Sequence, residues 1–327
     1  MRAIVITSGG GPEVLEMQER PDPEPGTREI RVRVRASALN RADLQQRRGA
    51  YPAPPGAPSD IPGMEYAGEV DALGPGATMW KVGARVMGLT GGGAHAEYLT
   101  VHEREVITVP PLLTWEEAAA IPEVFITAYD ALFRQLHLQV GETVLIHAVG
   151  SGVGTAASQL AHVAGARVIG TSRSPEKLER SRSLGVDVGI DSSSDDWPAR
   201  VADATGGKGV DAILDLVGGS YLANSLRTLS PRGRLILVGL TAGRSAELDL
   251  GLILNKRVQI TGTVMRARLL EEKIAVAREF EAKVVPLLEA ERVKPVIDCV
   301  FDFSEIRDAH SLMESNSNFG KVVLKWE

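Results

Sequence analysis

Thr143-Val-Leu-Ile-His-Ala-Val-Gly-Ser-Gly-Val-Gly154 is the stretch whose reading settles what kind of chain this is. Val144, Leu145 and Ile146 form a short apolar run that stops at a turn poor in side chains, Gly150 to Gly154. Thr155-Ala-Ala-Ser-Gln-Leu-Ala-His-Val-Ala164 follows with helical composition. Strand, glycine turn and helix together hold a nucleotide diphosphate. Small residues let the backbone approach the phosphates, and unpaired amides at the helix start point at the negative charge. A glycine cluster alone also serves plain turns; the strand before it and the helix after it supply the context a nucleotide site requires.

The residues beyond extend the pattern. Arg167-Val-Ile-Gly-Thr-Ser172 reads as a second strand, and 175–184 as a helix with proline in its first turn. Further strands are expected at 186–190, 210–215, 234–239 and 258–263. Strands alternating with helical segments imply an α/β class with a doubly wound parallel sheet. Gly218, Gly219 and Gly239 follow strand ends, where such sheets bind ligands. An NAD site usually places a carboxylate at the end of the second strand, bonded to the ribose 2′-hydroxyl. Here Thr171 and Ser172 stand there, followed by Arg173 and Lys177, so the charge favours the 2′-phosphate of NADP(H). The plainer alternative is that Arg173 and Lys177 are the solvated start of a helix.

At 327 residues the chain is long enough for two domains. Its 44% hydrophobic and 24% charged residues are an ordinary globular composition, and a net charge of −6 offers no general attraction to nucleic acid or anionic membrane. No apolar run reaches transmembrane length, and Met1-Arg-Ala-Ile-Val-Ile reads as a strand, not a signal sequence. The single cysteine, Cys299, excludes an internal disulfide and fits a reducing compartment, with cytoplasm as the expectation. Ahead of the glycine turn the texture is β-rich: Ile30-Arg-Val-Arg-Val-Arg35 alternates cleanly, and Gly74-Pro-Gly76 and Gly91-Gly-Gly93 mark turns. After residue 295 a strand (296–301), a helix (304–315) and a closing strand (321–325) are expected. Tyr51-Pro-Ala-Pro-Pro-Gly56 is a proline-rich loop, either a lid or a rigid connector.

Several longer stretches match one known pattern: Asn40-Arg-Ala-Asp43, Pro62-Gly-Met-Glu-Tyr-Ala-Gly68, Val82-Gly-Ala-Arg-Val86, Ala119-Ala-Ile-Pro122, Thr127-Ala-Tyr129, Asp215-Leu-Val-Gly-Gly219 and Asn318-Phe-Gly-Lys-Val322. Over essentially its full length the chain resembles the medium-chain dehydrogenase/reductase superfamily and, within it, the zinc-free quinone oxidoreductases. Ser37-Ala-Leu-Asn-Arg-Ala-Asp43 and Ser151-Gly-Val-Gly-Thr-Ala-Ala157 resemble the tumour-suppressor-inducible branch. The resemblance implies a GroES-like β-rich barrel domain from residues 1–123, completed by 266–327, with a Rossmann domain at 124–265 and the active site in the cleft. It also implies a homodimer formed by pairing strand 258–263 across a twofold axis. By the same resemblance Tyr51, Ser151, Asn40 and Asp43 serve catalysis. Thr127, Val149, Gly150, Gly152, Val153, Gly154, Ser172, Arg173, Lys177, Gly218, Gly239, Leu240, Thr263, Met265 and Asn318 line the NADP(H) site. Ser151 stands where the wider family carries glycine, and its hydroxyl is expected to contact cofactor or substrate; the alternative is an ordinary turn residue. A tyrosine that many relatives carry after the third strand is missing from Ile190-Asp-Ser192.

Zinc-dependent relatives use a cysteine near the Asn40 position, a histidine–glutamate pair near Met64, and a four-cysteine lobe after residue 90. This chain has no cysteine before 299, and His95, His102, His137, His147, His162 and His310 show no ligand spacing, so no metal is expected. Without a Lewis acid nothing lowers an alcohol's pKa, whereas a quinone already accepts hydride and mainly needs positioning. The expected function is NADPH-dependent reduction of a small quinone-like acceptor, with no nucleic-acid or membrane partner. One alternative is a reductase of conjugated carbon–carbon double bonds, in alkenals or enoyl thioesters, with Tyr51 as proton donor. Another is a non-catalytic NADPH-binding protein, for which an RNA-associated role fits poorly with the acidic balance.

Overall fold

The computed structural model describes residues 1–326. The chain forms two units, Met1–Ile126 with Met265–Glu327, and Thr127–Val264.

In the first unit β1 (Arg2–Ile6) and β2 (Leu15–Glu19) make an antiparallel pair. The centre of its main sheet is β3 (Glu29–Ala38). Ile30, Val32 and Val34 alternate with Arg31, Arg33 and Arg35, so one face of the pleat enters the core and the other meets solvent. The strand continues three residues past the alternating stretch, because Ala36, Ser37 and Ala38 are small enough to be buried on both faces. After α1 (Arg41–Arg47), β4 (Glu65–Leu73) pairs with β3 and with β5 (Arg85–Leu89); β6 (Tyr98–His102) pairs with β3, and β7 (Ile107–Thr108) with β5. Tyr66, Val70, Val86, Leu99, Val101 and Val106 close the core beneath β3. Two helices follow, α2 (Trp115–Ala119) and α3 (Pro122–Tyr129).

The second unit alternates β8 (Thr143–Ile146), α4 (Gly152–Val163), β9 (Arg167–Ser172), α5 (Pro175–Arg182), β10 (Val188–Asp191), α6 (Trp197–Ala204), β11 (Val210–Asp215), α7 (Tyr221–Thr228), β12 (Leu229–Leu237), α8 (Leu250–Lys256) and β13 (Gln259–Gly262). Every strand pair is parallel, in the order β10-β9-β8-β11-β12-β13. The order reverses between β8 and β11, which places a ligand crevice at the carboxyl ends of those strands. Leu145, Ile169, Ile190, Ile213 and Leu235 pack on Trp197, Val201, Leu222 and Leu226 to form its core.

The tail runs through α9 (Leu270–Lys283), α10 (Val285–Glu289), β14 (Ile297–Asp302), α11 (Ile306–Ser315) and β15 (Lys321–Lys325). β15 pairs antiparallel with β3 and parallel with β14, so the last strand belongs to the first sheet. Arg47 of α1, fully buried, bonds His310 Nδ1 at 3.1 Å and the Glu314 carboxylate, both on α11. This architecture is a GroES-like domain plus a Rossmann-type parallel sheet.

Candidate functional site

β8 ends at Ile146, and the next residue, His147, is fully buried. Its Nδ1 lies 2.8 Å from Thr171 Oγ1 and its Nε2 2.9 Å from Ser225 Oγ, while Trp197 and Tyr221 meet the ring edge-on. Burial holds the ring down at a pKa of about 4, so it is a neutral packing group with both nitrogens engaged. Ala148 then takes a left-handed backbone, φ 51°, a conformation that costs a non-glycine residue about 1 kcal/mol and is retained where a tight turn demands it. Ser151 caps α4: its Oγ accepts the Gly154 N–H at 3.1 Å. The N–H groups of Gly152 and Val153, in the same first turn, find no acceptor among the described residues. Gly154 tolerates no side chain, since a Cβ would lie 2.5 Å from Ala148 O and 2.6 Å from Val149 O. Val149 is itself buried, packed against the backbone of Gly170.

At the end of β9, Ser172 Oγ accepts the Ser174 N–H at 3.1 Å, and Ser174 Oγ accepts the N–H of Lys177 at 3.3 Å. Arg173 is exposed and Lys177 half-buried; β9 itself ends without a carboxylate, while Asp191 at the end of β10 pairs with Ser172. Past β11, Asp215 Oδ1 accepts the N–H groups of Val217 and Gly218, each at 2.8 Å, and fixes a turn in which Gly218 and Gly219 both have positive φ. Gly239 and the exposed Leu240 follow β12, and Thr263 follows β13, its Oγ1 3.4 Å from Asp130 Oδ2. Thus Gly150, Gly152, Val153, Gly154, Arg173, Lys177, Gly218, Gly239, Leu240 and Thr263 all fall at the carboxyl edge of one sheet. Thr127, at the start of this unit, is 6% exposed and its hydroxyl has no partner among the described residues.

The first unit holds a buried charge cluster. Asn40 caps α1 and its N–H donates to Asp43 Oδ2 at 2.7 Å, while Asp43 Oδ1 accepts from Gly63 N–H at 3.0 Å. Asp43 is fully buried with both oxygens bonded to backbone amides, which fixes the turn into α1. Asn40 Nδ2 donates to Glu65 Oε1 at 2.8 Å, and Asn40 Oδ1 accepts from Lys321 Nζ at 2.8 Å. Lys321 Nζ also lies 2.6 Å from Glu65 Oε1 and donates to Leu39 O at 2.6 Å. Burial pushes the Glu65 carboxyl above its ordinary range, with Lys321 pulling it back. Nearby, the Arg266 guanidinium lies 5.1 Å from the centroid of the Tyr51 ring. Arg266 donates to Gly91 O at 2.7 Å, Gln46 Oε1 at 2.6 Å and Tyr51 O at 3.3 Å. Burial raises the Tyr51 hydroxyl pKa and the Arg266 charge opposes it. Met265, beside Arg266, is nearly buried, and Asn318 Nδ2 donates to Gly320 O at 2.9 Å. Glu65, Glu123, Lys321 and Arg266 were not singled out by sequence reasoning. Glu65 and Lys321 lie inside motifs of the resemblance, whereas nothing local marks Arg266. Among the described residues, no three His, Cys, Asp or Glu side chains are grouped as a metal site would need.

Residues 26–111 match the sequence model of the alcohol dehydrogenase GroES-like domain, and residues 152–282 that of the zinc-binding dehydrogenases. The chain is 36% identical to a quinone oxidoreductase of Pseudomonas aeruginosa over 99% of both chains. Among solved structures, a mycobacterial protein complexed with NADPH superposes with a TM-score of 0.90 at 31% identity, covering 99% of this chain and 100% of that one. The CurK enoyl reductase superposes at 0.87 with 28% identity, covering 100% of this chain and 99% of that one. Fold, glycine turn and full-length similarity agree: the chain belongs to the medium-chain dehydrogenase/reductase superfamily of oxidoreductases and fits its quinone oxidoreductase branch.

Proposed function

We propose that the protein is an NADPH-dependent, zinc-independent quinone reductase. The observation that carries this reading is the ammonium of Lys321 between Asn40 and Glu65. Where zinc-dependent relatives gather ligands, this chain has built in its own cation, and its polar groups face one another. Tyr51, with Arg266 beneath its ring, is then the polar group left to meet an acceptor carbonyl. Such a site suits an acceptor that needs orientation more than activation.

NADPH, when bound, supplies hydride. For its diphosphate the chain offers the first-turn amides of Gly152 and Val153; Ser151 fixes that turn and Gly154 leaves room for close backbone packing. Arg173 and Lys177 pair with the 2′-phosphate, and the unpartnered hydroxyl of Thr127 is placed for a polar group of the cofactor. Asn40 and Asp43 hold the α1 turn in position. The edge strand β13, exposed along its length, is offered to a second copy of the chain. Among the described residues no helix is long and apolar enough to cross a membrane, and the single cysteine fits a reducing compartment such as the cytoplasm.

Similarity to the CurK enoyl reductase favours one second reading, reduction of a conjugated double bond with Tyr51 as the acid. Chelator-treated protein, shown zinc-free by elemental analysis, is assayed for NADPH oxidation with a quinone panel and then with alkenals. The reading expects turnover of quinones with activity intact. One tightly held zinc per chain, or alkenals turned over well above quinones, overturns it.

A further inference from the structure

Three carboxylates and two cations share the interior of the first unit: Glu65 on β4, Asp43 on α1 and Glu123 at the start of α3, with Lys321 on β15 and Arg266 ahead of α9. Four of the five have bonded partners. Asp43 is held by two backbone amides, Glu65 by Lys321 and Asn40, and Arg266 by Gly91 O, Gln46 and Tyr51 O. Glu123 differs. Its own N–H donates to Glu65 Oε2 at 2.7 Å, yet no donor among the described residues reaches its carboxyl. With all five ionised the cluster would carry one surplus negative charge, and the carboxyl lacking a bonded partner is where a proton relieves it. Glu123 is also partly exposed, so that proton exchanges with solvent. Burial, with the Glu65 carboxylate next in weight, pushes the Glu123 carboxyl up to about 7, against the pull of Lys321 and Arg266. Its charge is felt in turn by Tyr51.

We propose that Glu123 is the proton reservoir behind Tyr51, the group that replaces the proton Tyr51 gives to the reduced acceptor. This rests on the reductase reading above. Two electrons and one hydrogen pass as hydride from the reduced nicotinamide to the quinone, leaving a quinolate oxygen. The Tyr51 O–H bond breaks and its proton completes the hydroquinone; the Glu123 carboxyl proton passes through water to the tyrosinate oxygen, and solvent re-protonates the carboxylate.

The test compares wild type, Glu123→Gln and Glu123→Asp by two readouts. Infrared spectroscopy of the cofactor-free protein should show in wild type a carboxylic acid band that fades as pH rises through about 7, and that Glu123→Gln lacks. With NADPH and 1,4-naphthoquinone or an alkenal, wild-type kcat should fall above the same pH. Glu123→Gln should lose this pH limb and run no more than several-fold slower at about pH 6, and Glu123→Asp should restore part of the limb. A quinone or alkenal reductase whose limb survives in Glu123→Gln, or whose infrared band does, overturns the assignment alone. Wild type that oxidises NADPH with neither acceptor overturns the reductase reading and this assignment together.

Discussion

Lys321 and Glu65 form an ion pair almost wholly out of water, so losing one partner leaves an uncompensated buried charge. Lys321→Met should destabilise the protein by about 3–5 kcal/mol in urea unfolding; a loss below about 1 kcal/mol would show that water reaches Glu65. Tyr51 is the residue on which the choice of chemistry turns. If it orients a quinone and its proton only follows the hydride, Tyr51→Phe removes one hydrogen bond and a donor that water can replace, on the order of 1 kcal/mol or several-fold in rate. A loss of roughly a hundred-fold on alkenals would instead mark it as a general acid for double-bond reduction. Legibility differs among these residues for a physical reason. The glycines, Ser151 and Tyr51 announce themselves by type and neighbourhood. The Lys321 contact joins residues from opposite ends of the chain, which no local pattern encodes. Ser151 was marked, but whether its hydroxyl faces a ligand or caps a helix depends on the Gly154 amide, which becomes visible only once the turn is folded.

The βα unit around Gly150 to Gly154 was legible because each of its determinants is local: an apolar run, a turn without side chains, and a helix-forming stretch. Boundaries set by tertiary pairing were not. The fifth strand was expected at 234–239, yet β12 starts at Leu229, where Leu229 pairs with Val210 before Ser-Pro-Arg-Gly shifts the register. Pro231 and Gly233 read as a turn because their local chemistry is that of one. The third strand begins at Val188, two residues late, since Val186 instead donates to Ser181 O at the end of α5. The helix expected at 304–315 opens with a 3-10 turn, Phe303–Glu305, before α11. At α5, Lys177→Ala should weaken NADPH by about 1.5–3 kcal/mol and leave NADH nearly unchanged, measured by fluorescence titration. Equal affinity of wild type for both cofactors would contradict the assigned phosphate contact. At β13, Ile260→Lys places charge on an edge strand we propose to be paired with a second copy; sedimentation should show a dimer for wild type and a monomer for the variant. A wild-type monomer would remove that proposal.

The whole molecule's class followed from periodicity, whereas the return of the tail to the first sheet came only with the resemblance, because β15 must find β3 across an entire intervening unit. Buried neutral histidines such as His147 contribute to its response to acid, alongside its shifted carboxylates. A base whose folded pKa lies near 4, below an ordinary 6.5, contributes stability that is complete above 6.5 and lost as pH falls toward 4. His147→Gln should therefore make stability fall less steeply between about pH 6 and about pH 5, by about 1.4 kcal/mol per pH unit; an unchanged slope would mean the ring is protonated in place. The central claim is that this oxidoreductase delivers hydride to quinones. Its most direct test is a competition in which zinc-free enzyme and limiting NADPH meet equal concentrations of 1,4-naphthoquinone and an alkenal, and the products are counted. Their ratio reports the ratio of kcat/KM values without assumptions about either alone. The account predicts hydroquinone as the dominant product; a preponderance of saturated aldehyde would contradict it.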